Sequence, residues 1–127
     1  VRLLLDTHVL LWWVIGDPRL PSTVADVVSD EGSTVHVSAV SAAEVAVKRS
    51  VGKLGRPTVE EAFAEPGLEE LPFRAAHAEV LQTLPLHHRD PFDRMLVAQA
   101  LAEGLVLVTL DDKVRRYDVP VLPPRGA

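Results

Sequence analysis

The chain contains no cysteine. That absence excludes disulfides, zinc–thiolate centres and thiol nucleophiles, and it suits a reducing compartment. Long apolar runs are also missing, since nothing approaches the ~20 residues needed to span a bilayer. Val9 to Ile15, with Arg2 ahead of it, has the outline of a signal peptide, but Asp6 and His8 interrupt the region and no small-residue cleavage site follows. A soluble, cytoplasmic protein is expected. Positive charge is not in surplus: 13 Lys and Arg stand against 18 Asp and Glu, a net charge of −5, which argues against a broad basic surface for nucleic acid. There is no G-x-S-x-G nucleophile motif and no internal repeat. His87 and His88 have no partner histidine at a metal-ligand spacing, so solvated loop positions are expected for both.

What is present is enough for one ordinary domain. A chain of 127 residues, 47% of them apolar, buries about two thirds of its unfolded surface. One domain over residues 1–122 is expected, followed by a frayed Pro-rich tail, 123–127. The pattern reads as a buried strand over 2–6, a helix from His8 to Ile15 closed by Gly16-Asp17-Pro18, and a helix from Pro21 to Asp30. A β-branched strand from Thr34 to Ala39 comes next, then a helix from Ser41 to Val51. Thr58 with Glu61 forms a capping box for a short helix. Leu68 to Phe73 reads as a strand and Arg74 to Leu84 as a helix. Pro91 to Glu103 is a strong helix with Leu96, Val97, Ala100 and Leu101 as its apolar stripe, and strands follow at Leu105 to Thr109 and Val119 to Leu122. Strands alternating with helices favour a parallel sheet held between helical layers.

Acidic residues stand where these elements meet. Asp6 ends the first strand, Glu44 follows the second, Asp93 opens the long helix and Asp111 follows the strand ending in Thr109. In a parallel α/β sheet those strand ends share one edge. Four carboxylates gathered there repel one another unless they hold cations, and an all-oxygen cluster suits Mg²⁺ or Mn²⁺. Each acid also has a plain structural explanation. Asp6 can N-cap the first helix, although ionisation after three leucines is costly. Ser41-Ala42-Ala43-Glu44 has the form of a capping box. Asp90, Pro91 and Asp93 make a complete helix start, with Asp90 as the cap, so Asp93 is favoured for metal and Asp90 for a supporting role. Asp111 and Asp112 suit a turn, and Asp111 lies nearer the strand end.

Nine of the 13 basic residues lie close in sequence to these acids: Lys48, Arg49, Lys53 and Arg56, Arg89 and Arg94, and Lys113, Arg115 and Arg116. They are either solvated helix faces or grips for phosphate. Leu10, Leu11, Trp12, Trp13 and Ile15 crowd one short helix, and adjacent tryptophans point ~100° apart, so one of them is expected to face outward and mark an interface. The alternative is a neighbouring helix, Pro21 to Asp30, that covers both rings.

The segments LLLDTHVLLWW (3–13), VSAVSAAEVAVKRSVGKL (37–54), HRDPFDRMLVAQALAEG (88–104) and LVLVTLDD (105–112) together resemble the PIN-domain family, and the toxin ribonucleases of VapBC-type toxin–antitoxin pairs in particular. The resemblance implies a three-layer α/β/α sandwich with a mainly parallel central sheet. It implies an Mg²⁺- or Mn²⁺-dependent endoribonuclease that cleaves RNA with a metal-activated water, a homodimer, and neutralisation by a small antitoxin, as in type II toxin–antitoxin systems. Matched by position, Asp6, Glu44, Asp93 and Asp111 correspond to the family's catalytic and metal-binding acids. Thr7 and Thr109 correspond to polar positions lining the site, with Asp90 and Asp112 as secondary candidates. Lys48, Arg49, Lys53, Arg89, Arg94 and Lys113 are the expected RNA contacts. Two other classes compete. A haloacid-dehalogenase-like phosphatase also opens on a strand ending in Asp, but wants a second Asp where this chain has His8. A non-catalytic binding scaffold would explain the acids as caps and turns.

Overall fold

A computed structural model describes residues 1–53 and 55–126. Leu54, at the end of the second quoted segment, and Ala127, the last residue of the expected tail, lie outside the described residues. The element order is β1 (Arg2–Leu5), α1 (Thr7–Ile15), α2 (Ser22–Ser29), β2 (Thr34–Ser38), α3 (Ala39–Ser50), α4 (Val59–Phe63), β3 (Leu68–Leu71), α5 (Ala75–Leu81), α6 (Pro91–Glu103), β4 (Val106–Val108) and β5 (Val121–Leu122). A 3₁₀ turn, Val114–Arg116, stands before β5.

The five strands form one parallel sheet in the order β3-β2-β1-β4-β5. β1 is central because it is apolar on both faces: Leu3, Leu4 and Leu5 are all fully buried, as expected of a strand covered on both sides. Alternation sorts them. Leu4 packs with Leu96, Val97, Ala100 and Leu107 on the α6 side. Leu3 and Leu5 pack with Val9, Leu10, Val24 and Val28 on the α1–α2 side. The chain leaves β1 toward β2 and β3, then crosses to β4 and β5 on the other flank. The connection direction therefore reverses between β1 and β4, and a crevice opens outside their carboxyl ends. Among the described residues, no helix is long and apolar enough to cross a membrane.

The local start and stop signals work as physical chemistry requires, with some differences from the sequence reading, among them a tail that is not frayed throughout, since Arg125 donates to the Val119, Arg115 and Tyr117 carbonyls. Asp90 caps α6 through the amides of Phe92 and Asp93, Pro91 sits at the start, and Gly104 closes the helix at φ 66°, a left-handed conformation that suits glycine. The Thr58–Glu61 capping box is present. α3, however, begins at Ala39, two residues before the expected Ser41: Ser38 is its N-cap and accepts from the Val40 amide at 2.9 Å. Ser41 is therefore inside the helix, and the Ser41–Glu44 capping box does not form. Leu101 is 38% exposed and leaves the apolar stripe of α6. Gln99, in the same helix, is fully buried; its amide donates to the Pro72 carbonyl at 3.1 Å and its carbonyl accepts from the Ser38 hydroxyl. That pair ties α6 to the end of β2.

Candidate functional site

Asp6 follows β1 directly and caps α1, with Oδ1 accepting from the Val9 amide at 2.8 Å. Its own amide donates to the Val108 carbonyl at 3.0 Å, extending the β1–β4 pairing to the mouth of the crevice. The carboxyl is 5% exposed. Burial pushes its pKa up to about 6, against the Thr109 hydroxyl and the Val9 amide, which favour the ionised form; the Asp93 charge pushes it further up. Thr109 is fully buried at the end of β4. The Thr7 and Ser41 hydroxyls lie 2.9 Å apart and fasten the start of α1 to α3.

With the cap supplied by Ser38, Glu44 is free to project from the second turn of α3. It is 2% exposed. Oε2 accepts from Lys48 Nζ at 2.8 Å, whereas Oε1 is buried and accepts no hydrogen bond from the described residues. A buried carboxylate oxygen left this way is expensive unless a cation meets it.

Asp93 comes in from the first turn of α6, partly buried, and Oδ2 lies 2.8 Å from the His88 ring nitrogen Nε2. Burial raises its pKa; the His88 hydrogen bond opposes the rise, and the Asp90 and Glu44 charges add to it. Lys48 is held protonated first by Glu44 and then by the charges of Asp90 and Asp93. Asp6, Glu44, Asp90 and Asp93 thus share one electrostatic neighbourhood although they come from three separate segments. Ligand atoms of His88, Asp90 and Asp93 lie within 4.8 Å of one another. Among the described residues Asp6 and Glu44 fall outside that group, while the two carboxylates and the imidazole within it have the donor chemistry of a small divalent cation site.

Asp111 differs. It lies at the same sheet edge but is exposed, and Oδ1 accepts from the Lys113 amide at 2.8 Å and the Val114 amide at 3.4 Å, shaping the 3₁₀ turn. Asp112 is exposed beside it. The expected RNA contacts also divide. Lys48 serves Glu44, Arg49 donates to the Gly55 carbonyl, and Arg94 donates to the Tyr117 hydroxyl and the Leu84 carbonyl. Lys53, Arg89 and Lys113 are exposed, and the last two line one surface cavity with His87 and His88.

Sequence reasoning placed His88 in a solvated loop, because it has no second histidine at ligand spacing. Its partner is a carboxylate five residues on, across the helix start, and the only local signal was the density of titratable groups from His87 to Arg94. Trp13 packs inward against the α1–α2 core. Trp12 turns to a cavity lined also by Thr7, Leu11, Ile15, Val45 and Lys48, with the Arg19 guanidinium 5.1 Å from its ring centre.

Solved structures share this arrangement of elements. The VapBC2 complex of Rickettsia felis, bound to a DNA fragment from its promoter, aligns with a TM-score of 0.68 at 18% identity, covering 95% of this chain and 97% of that one. A toxin–antitoxin complex from Klebsiella pneumoniae gives 0.65 at 17% identity, over 98% of each chain. FitAcB from Neisseria gonorrhoeae gives 0.60 at 20% identity, over 94% and 95%. At these identities the likeness is one of fold. No curated relative matches the sequence itself significantly. The PIN domain family model matches residues 3–120, from β1 past β4 and the 3₁₀ turn, so the expected resemblance holds and the haloacid-dehalogenase alternative falls away: the chain belongs to the PIN domain family.

Proposed function

We propose that the chain is a metal-dependent endoribonuclease and the toxin component of a type II toxin–antitoxin pair. The observation that carries the catalytic half is that Asp6 and Glu44, both buried, share the electrostatic field of Asp93 at the β1–β4 crevice, with Glu44 Oε1 lacking a hydrogen-bond partner among the described residues. Caps and turns alone do not explain it, because Glu44 caps nothing. The toxin half is supported by fold likeness to chains from toxin–antitoxin complexes. A small antitoxin partner, a homodimeric state and a cytoplasmic location belong to the same reading.

In this reading Asp6, Glu44 and Asp93 hold Mg²⁺ or Mn²⁺, with Asp90 in support and Asp111 at the outer rim. When bound, such an ion lowers the pKa of water for attack on phosphorus and offsets charge on the phosphate. The chain's own groups prepare the place. The Thr109 hydroxyl and the Val9 amide favour the ionised form of the buried Asp6, and His88 fixes Asp93. The Thr7–Ser41 bond holds α1 and α3 in register, so Asp6 and Glu44 keep their relative positions. Arg89, Lys53 and Lys113 are the exposed cations suited to flanking phosphates. Single-stranded RNA, whose bases are open to contact, is the favoured substrate.

The test is cleavage of RNA by the purified chain with Mg²⁺, with EDTA, and after Mn²⁺ is added back. Cleavage should stop in EDTA and return with the metal. Asp6→Asn and Asp93→Asn should fold and fail to cut. Undiminished cleavage by either variant removes that residue from the site, and cleavage in EDTA defeats the mechanism. Light scattering of the isolated chain tests the dimer.

A further inference from the structure

We propose that His88 is itself a ligand, supplying one nitrogen to the cation held at Asp93, and that this nitrogen makes the site favour Mn²⁺ over Mg²⁺. The proposal rests on the nuclease reading only for the location of the ion.

Three observations support it. The first is distance. His88 Nε2 lies 2.8 Å from Asp93 Oδ2, and ligand atoms of His88, Asp90 and Asp93 all fall within 4.8 Å. In an octahedral shell with bonds of about 2.1–2.2 Å, neighbouring donors stand about 3 Å apart and opposite donors about 4.3 Å. The observed spacing is therefore close to that of a coordination shell. The second is Glu44 Oε1, buried and without a hydrogen-bond partner among the described residues, on a carboxylate whose charge is felt at Asp93. The third is how His88 is held. Its amide donates to the Tyr117 hydroxyl at 3.2 Å, and that hydroxyl donates back to the His88 carbonyl at 3.4 Å. Tyr117 is almost fully buried, and Arg94 Nε donates to the same oxygen at 3.3 Å. The loop is pinned by its backbone while its imidazole is turned, 15% exposed, to an acid. A solvated loop histidine needs no such fixture.

The chemistry follows from donor type. An imidazole nitrogen adds more affinity for a first-row transition ion, Mn²⁺ included although it is the weakest binder of that series, than for Mg²⁺, which demands oxygen ligands and keeps its water. In the metal-free chain the ring N–H donates to Asp93. On binding an ion, Nε2 would give up its proton to solvent while the neutral ring carries its one N–H on Nδ1, leaving the Nε2 lone pair for the metal.

Pulsed electron paramagnetic resonance of Mn²⁺ added to the metal-free chain reads this directly, without RNA. The spectrum should carry modulation from a bound nitrogen, and the pattern should change when histidine is labelled with ¹⁵N. His88→Gln should lose the modulation. Calorimetry should show its Mn²⁺ affinity falling at least about tenfold, and its Mg²⁺ affinity less than about twofold. His8→Gln and His87→Gln should keep the modulation, which preserves the assignment even if His88→Gln does not fold. A wild-type spectrum without nitrogen coupling, or a His88→Gln spectrum that retains it, overturns the proposal. A chain that shows the coupling but cuts no RNA keeps His88 as ligand and refutes the nuclease; one that cuts RNA with Mn²⁺ but shows no coupling does the reverse.

Discussion

Lys48 Nζ lies 2.8 Å from Glu44 Oε2, one turn along the same helix, in the field of Asp90 and Asp93 as well. It acts as a tethered counter-ion inside the acidic cluster. Removing it leaves Glu44 buried without compensation. The full cost of breaking a buried pair is reduced here because Lys48 is 38% exposed, so roughly 1–2 kcal/mol is expected. Lys48→Met should therefore melt lower than wild type in EDTA and gain more from added Mn²⁺. Thermal unfolding of both proteins with and without metal checks this; equal metal-induced shifts would show that Lys48 and the cation do not share Glu44.

Asp6 makes the metal-free fold sensitive to pH in an unusual direction. Burial raises its folded pKa to about 6 from the ordinary 3.8. Between those values the folded state binds more protons than the unfolded state, so stability from this group is fully present below about pH 4 and is lost as pH rises through 6. The loss amounts to about 3 kcal/mol at most. In EDTA, denaturant unfolding should show Asp6→Asn to be more stable than wild type at pH 7.5, with the gap closing toward pH 4. With Mn²⁺ present the ranking should invert, because only the wild type gains from the ion. An Asp6→Asn protein that is less stable than wild type in EDTA at pH 7.5 would show that the carboxylate is not under this strain.

Asp90 and Asp93 divide the labour of one helix turn. Asp90 Oδ1 accepts from two backbone amides, and Asn caps about as well as Asp. Asp90→Asn should keep its stability and part of its activity, whereas Asp90→Ala should lose about 1 kcal/mol. Asp93→Asn should keep the fold and lose cleavage. Chemical denaturation paired with an RNase assay on the same preparations separates the two roles, and an inactive Asp90→Asn at saturating metal would make Asp90 a ligand.

What the sequence made legible was mostly local. Asp90-Pro91-Asp93 announces its helix because a cap, a proline and an N3 acid act within four residues. Leu3-Leu4-Leu5 announces a buried strand because no polar group interrupts it. The α3 start was misplaced because two serines compete for the cap, and the winner is decided at long range. Ser41 is drawn inside by Thr7, and Ser38 is held by Gln99. The same long-range effects hid His88, whose backbone is fixed by Tyr117 from beyond β4. Glu44 was singled out, but as an acid with a capping alternative; only the position of Ser38 removes that alternative.

The last prediction concerns the partner. Of the two adjacent tryptophans, Trp13 joins the core beneath α2, while Trp12 faces the cavity between α1 and α3 with Ile15, 51% exposed, at its rim. An aromatic ring on an open apolar floor, held in place by a guanidinium, is the kind of residue that dominates binding energy at an interface. If the proposed antitoxin seats a segment here, Trp12→Ala should weaken its binding by about 30-fold or more, equivalent to about 2 kcal/mol. RNA cleavage by the isolated variant should persist, because Trp12 supplies no ligand atom to the proposed metal site. Calorimetric titration with the proposed antitoxin, expected as a small reading frame beside the gene, measures the first effect. Coexpression measures its consequence: the partner should rescue growth from wild type and fail to rescue it from Trp12→Ala. Equal affinity for both proteins would place the antitoxin elsewhere on the surface, and toxicity unchanged by the partner even for wild type would end the toxin–antitoxin reading itself.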